Sequence, residues 1–484
     1  MTPPRAAVPV LAPVLAPLAA EPQAGGFWQH PLVLHVLRWQ IVGTRAEAVS
    51  LTIFGLAVLA LLFRRRSGRP ADWWRRALLA AALGALGAAL LMLVLDDALH
   101  QVPGGLPRTG RIWVVLLGVV VGLAVASLIR SRWWRKIIAV LVVAPMLAVA
   151  IVGVNASYGI MHSLGELLDK PVAEIVTITD LPRPDAQPTA AVDWLAAAWT
   201  PPPGMPATGR RVTLDIPATV SGFKARPGSL YLPPAALVAD PPALPVVVLM
   251  MGQPGTPDVT YIADALDAKA ARHRGLAPIV VVADQTGSPW NDTLCMDTAT
   301  FGKVETYLNT DVVAWITTHL RVSPDRSDWL VAGYSNGGLC AARFAARYPD
   351  RWGNVLNISG EEFPGSDNPS KHLSEFFGGD KAAYDQLRLP TVLAATRFTD
   401  TWFVTTVSAD DPHHLAGERR VAAAAAASGA RSHYLQFATG GHGVETLKQA
   451  LDKGLDLFYP RLGLDSAVSP RQAEATPPTP IPAP

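Results

Sequence analysis

The sequence predicts an α-helical membrane domain of four spans followed by an α/β domain with a mostly parallel central sheet. Three observations carry this expectation. The 484-residue chain is 50% hydrophobic and only 17% charged, apolar for a protein wholly in water. Four runs of 18–21 residues in its first third hold no charge beyond one end glutamate, and that is the length a hydrocarbon core demands. Past residue 210, short β-branched runs alternate with helical stretches, the pattern of a sheet covered on both faces.

Residues 1–45 form an N-terminal arm. Its start, "MTPPRAAVPVLAPVLAPLAA", has the arginine, apolar stretch and alanine-rich end of a signal peptide, but its prolines oppose a helix. "PLVLHVLRWQIVG" (31–43) is too short and too charged to span and is expected along the interface. The membrane domain covers 46–157, with spans at 46–63, 77–95, 112–129 and 137–157. Glycines and alanines at 80–90 would let helices approach closely in lipid. The joints "RRRSGRPADWWRR" (64–76) and "RSRWWRK" (130–136) are crowded with cations, whereas the 96–111 joint sets two aspartates against two arginines. The positive-inside rule therefore puts the first two joints in the cytoplasm and everything past residue 157 outside. The expected location is the plasma membrane, multi-pass, with the second domain extracytoplasmic.

Residues 158–210 are rich in proline ("LPRPDAQPTA", "WTPPPGMPATG") and read as a linker. In the domain at 211–463, strands are expected at 211–218, 228–233, 244–252, 277–284, 328–335, 390–397, 402–409 and 432–439, with helices at 304–320 and 336–348. The tail at 464–484, "SPRQAEATPPTPIPAP" at its end, has no means of burying a core and is expected to be disordered.

A formal net charge of +2 and the lack of a basic stripe argue against nucleic acid as a partner. Two cysteines cannot make a four-thiolate zinc site, and neither C-x-x-C nor H-E-x-x-H occurs. No metal or cofactor is expected.

The chemistry points to "LVAGYSNGGLC" (330–340), where Ser335 stands in a G-x-S-x-G frame between a strand and a helix. Gly333 and Gly337 fall where a Cβ would collide in so sharp a turn. The amide of Asn336, at the helix N-terminus, is one candidate oxyanion donor, and that of Gln253 in "MMGQPG" is the other. A serine hydroxyl needs a base and an orienting acid. Downstream, "TVSADDP" offers Asp411, with Asp410 in reserve, and "TGGHGVETL" offers His442, each in a loop after a strand. The bland alternatives, a surface loop histidine for His442 and a helix N-cap or turn former for Asp411, carry less weight than the catalytic reading. His413 and His414 follow the acid so closely that they are expected to line the loop.

At these residues the chain resembles the esterase-like α/β hydrolases that include the mycolyltransferases of the antigen 85 group and the S-formylglutathione hydrolases. The resemblance runs over roughly 210–463 and rests on "YLP", "PVVVLMMGQPG", "GYSNGG…RYPDRWGNVLNISG", "SADDP" and "GGHG". More narrowly, the chain is similar to actinobacterial membrane esterases with four spans before such a domain. The resemblance implies an α/β hydrolase fold with Ser335 as nucleophile, Asp411 as acid, His442 as base, and Gln253 and Asn336 as oxyanion donors. "MG" replaces the usual "HG" or "DG" after the third strand, Asn336 stands where Met is commoner, and the acid is Asp rather than Glu. These departures bear on the acyl acceptor more than on the nucleophile.

The expected function is a membrane-anchored serine esterase or acyltransferase, working through an acyl-serine intermediate on an ester of a membrane or cell-envelope lipid. An aminoacylated phospholipid or a trehalose-type glycolipid fits that placement, and no residue selects between them. A catalytically inactive hydrolase-fold scaffold or binding protein is the alternative of another class. A transporter built on the four helices is a third reading, which the near absence of intramembrane charge disfavours. In an oxidising compartment the only two cysteines, Cys295 and Cys340, are expected to pair.

Overall fold

In the computed structural model, residues 30–63, 70–98, 106–129, 131–159, 161–168, 170, 192–289, 291–366 and 369–482 are described. The signal-like start of the arm and residues 171–191 of the proline-rich linker lie outside them. A short helix α1 (Pro31–Leu37) is followed by four long ones: α2 (Thr44–Leu62), α3 (Pro70–Met92), α4 (Arg108–Leu128) and α5 (Trp133–Tyr158). Each long helix overlaps an expected span and is long and apolar enough to cross a membrane, with an 18-residue stretch whose mean hydropathy is 1.8, 2.6, 2.3 and 3.0 in turn. Their outer faces leave Leu59, Leu78, Leu79, Val140 and Leu141 exposed, an apolar surface larger than ordinary monomers show to water. Small residues bring α3 and α4 together: a Cβ on Gly84 would strike the Gly118 carbonyl, and one on Gly122 the Ala80 carbonyl.

The second domain is built on eight strands: β1 (Arg210–Leu214), β2 (Gly228–Leu232), β3 (Val246–Met250), β4 (Ile279–Val282), β5 (Trp329–Tyr334), β6 (Asn354–Ile358), β7 (Trp402–Ser408) and β8 (Arg431–Phe437). Their order in the sheet is β1-β2-β4-β3-β5-β6-β7-β8. The pairs β1–β2 and β2–β4 are antiparallel, and the rest are parallel. The central strands are buried along their whole length, as expected of runs apolar on both faces. The flanking helices that matter for the site are α6 (Thr260–Arg272), α7 (Val312–His319), α8 (Asn336–Arg347), α9 (Leu415–Ala427) and α10 (Val444–Arg461).

Three expectations are corrected. Residues 390–397 are not a strand: Leu389–Ala394 is a helix with Pro390 in its first turn, and Leu389 and Leu393 are both buried. Proline at a helix start is pre-organised for that turn, and the two leucines share a face at the helical i,i+4 spacing. The strand that sequence patterning missed is β6, whose apolar run is interrupted by Asn354 and Asn357. The proline-rich tail is not disordered. After Ser469, which makes a capping box with Gln472, Pro470–Ala475 forms a helix α11. Arg461 on α10 bonds Glu474 at 2.9 Å, Thr479 donates its amide to His433 at 3.2 Å, and Ile481 packs on the cluster of Val407, Ala422 and Tyr434. A segment unable to form its own core can still order on one that exists. From the presumed linker, Leu195 and Ala196 likewise join the main core, and Trp194 donates to the Asp465 carbonyl at 2.7 Å.

Candidate active site

Strand β5 ends at Tyr334 and α8 begins at Asn336, so Ser335 is the single residue between them. Ser335 sits at φ 56°, ψ −120°, a conformation an L-residue holds only where its surroundings over-determine it. Those surroundings are close: a Cβ on Gly333 would run into the Gly337 carbonyl, and one on Gly337 into the Met250 carbonyl on β3. The two glycines are therefore required by backbone approach, as the sequence frame implies. The Ser335 amide donates to the Ile358 carbonyl of β6 at 2.9 Å, which fixes the turn from the other side.

The two residues singled out downstream, Asp411 and His442, converge on Ser335. Ser335 Oγ lies 2.8 Å from His442 Nε2, and His442 Nδ1 lies 3.0 Å from Asp411 Oδ2. All three side chains are buried. With its Nδ1–H donating a hydrogen bond to the carboxylate, the neutral imidazole presents a lone pair at Nε2 to the serine hydroxyl. Asp410 faces elsewhere. Its carboxylate accepts the amide of Gly441 at 2.7 Å and that of Gly440 at 3.4 Å, and so pins the loop that carries His442.

Sequence reasoning set His414 aside, yet it is part of this cluster. Its Nδ1 bonds Asp411 Oδ1 at 3.0 Å, and its ring stacks on His442 with centroids 4.0 Å apart and planes 11° from parallel. Tyr334 stacks near His442 as well, at 5.1 Å. Burial opposes ionisation of Asp411, but the two histidines outweigh it and hold the carboxyl well below the usual carboxylate range. Burial, aided by the charge of His414 and against the pull of Asp411, lowers the pKa of His442 below its ordinary 6.5.

The loop after β3 passes so near the serine that a Cβ on Gly252 would come within 3.3 Å of Ser335 Cβ. Gln253 follows and lines the same cavity. A buried ion pair, also missed in the sequence, holds this loop: Arg226 binds Asp284 through Nη2 at 2.7 Å and donates Nη1 to the Gly255 carbonyl at 2.8 Å. The Asn336 side chain reaches Asp292 at 3.0 Å, tying α8 to the 285–300 loop. There Cys295 and Cys340 form a disulfide, with Cα atoms 5.1 Å apart, which meets the pairing expected of them.

Among the described residues, two clusters have donor atoms close enough for a metal ion, Asp411 with His414 and His442, and His162 with Glu166 and Asp258. In the first, the donor atoms already serve the hydrogen bonds above. In the second, His162 Nδ1 faces Asp258 Oδ2 at 2.9 Å and Glu166 caps the turn at Ser163.

A cavity of about 110 Å³ opens beside Ser335 and His442, lined by Met251, Pro254, Tyr334 and Leu447 and, from the end of α5, by Tyr158 and Gly159. A larger one of about 580 Å³ lies at the far end of β5, around Trp329 and Tyr348, and takes no part in this cluster.

Residues 224–458 match the family described as "Putative esterase". An uncharacterized protein of Corynebacterium glutamicum is 31% identical over 346 residues, 69% of this chain and 75% of that one. Among solved structures, a ferulic acid esterase is 20% identical with a TM-score of 0.45, covering 53% of this chain and 98% of that one. An S-formylglutathione hydrolase from Agrobacterium tumefaciens is 19% identical with a TM-score of 0.43, covering 53% and 97%. By its matched segment and by this relative, the chain belongs to the "Putative esterase" family, and its second domain is an esterase-type α/β domain behind four long apolar helices.

Proposed function

We propose that the protein is a membrane-anchored serine esterase or acyltransferase that takes its substrate, an ester of a membrane or cell-envelope lipid, at the outer face of the plasma membrane. The observation that carries this reading is the bonded series Ser335–His442–Asp411, at 2.8 and 3.0 Å, beside a cavity that the last apolar helix helps to line. Ser335 Oγ attacks the ester carbonyl as its proton passes to His442 Nε2. The tetrahedral oxyanion is stabilised by the amides of Asn336 and Gln253. The imidazolium, held by Asp411, gives its proton to the leaving alcohol, and an acyl-serine remains. Water or an envelope hydroxyl then loses a proton to Nε2 and attacks the acyl carbon, and the proton returns to Ser335 as that bond breaks. Labelling the purified protein with a fluorophosphonate tests the reading: wild type should react at Ser335, and Ser335→Ala should not react at all. An unlabelled wild type would favour the inactive scaffold.

Neutral His442 is the active form. Because its pKa lies below 6.5 in the folded protein, the acidic limb of kcat/KM, on which the imidazole gains its proton, should have its midpoint below pH 6.5. His414→Asn removes a neighbouring charge that opposes that proton, so its acidic limb should move to higher pH. A limb at or above 6.5 in the wild type, or one unmoved by the substitution, would count against this assignment.

The orientation rests on the arginine-rich joints. A cysteine at Ser67 should resist a membrane-impermeant maleimide in intact cells, whereas one at the exposed Ala475 should react. Cys295 and Cys340, paired and buried, contribute no background. The reverse pattern of labelling would put the esterase domain in the cytoplasm.

A further inference from the structure

The cavity beside Ser335 is shared between the two parts of the chain. Tyr158 and Gly159, the last residue of α5 and its C-cap, stand in its lining together with Met251, Pro254 and Leu447. This helix end is held firmly. Gly159 closes α5 in the left-handed region at φ 66°, and a Cβ there would lie 2.5 Å from the Tyr261 hydroxyl on α6 and 2.6 Å from Val444 Cβ on α10. Asn155 bonds the Met161 carbonyl at 2.7 Å and the Met161 amide at 3.2 Å. On the side of the base, a Cβ on Gly443 would come within 2.8 Å of the Ser157 carbonyl. The loop carrying His442 and the end of the last apolar helix therefore rest directly on one another.

Size decides what this space can take. A dry cavity of roughly 150 Å³ admits a benzene ring of six carbons, and the cavity here is about 110 Å³. Its lining is largely apolar and offers no charged group for an acyl chain to meet. That volume matches an acyl group of a few carbons, and a long fatty acyl chain would have to run out through its mouth.

We propose that the end of the last apolar helix forms one wall of the acyl pocket, with Tyr158 a specificity-determining residue that limits the acyl group carried by Ser335 to a short chain. This rests on the serine-esterase reading above. The short acyl group is then the part transferred, and the long hydrocarbon of the lipid belongs to the alcohol portion, which stays with the bilayer. Each methylene beyond the pocket's length should cost on the order of tenfold in kcat/KM until the chain finds another path.

The test is a series of p-nitrophenyl esters from acetate to dodecanoate on the full-length protein in detergent micelles, alongside fluorophosphonate labelling. Wild type should prefer acetate or butyrate to octanoate by at least tenfold. Tyr158→Ala, and Tyr158→Leu should the first fail to fold, should reduce that ratio or move the optimum to hexanoate or octanoate. Octanoate or dodecanoate equal to butyrate in a wild type that still labels at Ser335 would overturn the short-chain pocket and leave the esterase reading standing. A folded Tyr158 variant with the wild-type chain-length profile would overturn the role of the helix end. Absence of labelling at Ser335 in the wild type would overturn both.

Discussion

Ser335→Ala and His442→Ala should each abolish nearly all esterase activity, on the order of 10⁵–10⁶-fold in kcat, and the double variant should lose little more than either alone. The non-additivity follows from geometry. His442 Nε2 is 2.8 Å from the only hydroxyl it serves, so without Ser335 it has no proton to take, and without His442 the hydroxyl keeps its own. What rate remains comes from the oxyanion amides and from binding, which neither substitution touches. Asp411→Asn should cost less than either, because the serine and imidazole remain in contact. Asp410→Asn should disturb the 440–441 loop without abolishing turnover, since Asp410 bonds backbone amides there and not the imidazole. Steady-state kinetics on the four single variants and the double variant, with a soluble ester, provides the check. Losses that multiply would mean that serine and histidine act separately, and a crippled Asp410→Asn would make that residue the acid.

Breaking the disulfide should give the largest change in stability. Cys295 and Cys340 are 45 residues apart, and closing a loop of that size is worth about 4 kcal/mol in the chain-entropy account. For a domain of this size the loss corresponds to roughly 8–16 °C in the unfolding midpoint. The Cys295→Ser, Cys340→Ser double variant should therefore melt that much lower than wild type at the same scan rate and detergent. Wild type under reductant should approach the same midpoint. The local effect accompanies the global one, because the bridge joins α8 to the loop from which Asp292 holds the side chain of Asn336. A midpoint within 2 °C of wild type would show that the bridge constrains little in the unfolded chain.

Much of this protein is written locally. A span is recognisable because a hydrocarbon core asks only for length and lack of charge, and both are read from consecutive residues. The elbow is recognisable for a similar reason: backbone crowding within five residues demands Gly333 and Gly337 around Ser335, whatever lies further away. Chain order then narrowed the acid to Asp410 or Asp411 and pointed to His442, in the loops after β7 and β8, and the structure set Asp411 rather than Asp410 against the imidazole.

What escaped the sequence depends on partners distant along the chain. Asn354 and Asn357 make β6 look too polar for a central strand, but the fold supplies carbonyls for one and Glu418 for the other. The run at 389–394 is equally apolar as a strand or a helix, and burial of Leu389 and Leu393 on one side settled it. The tail has no core of its own and orders against α10, β8 and the cluster of Val407, Ala422 and Tyr434. His414 became part of the site because the turn after β7 folds its ring onto His442, and Arg226 because Asp284 stands next to the loop that must be held. Composition determined that four apolar helices precede an α/β domain and which serine stands in the strained turn. Only tertiary packing decided that the last of those helices ends in the cavity beside that serine, because the sharing of one cavity by Tyr158 and Ser335 has no signature in either segment alone.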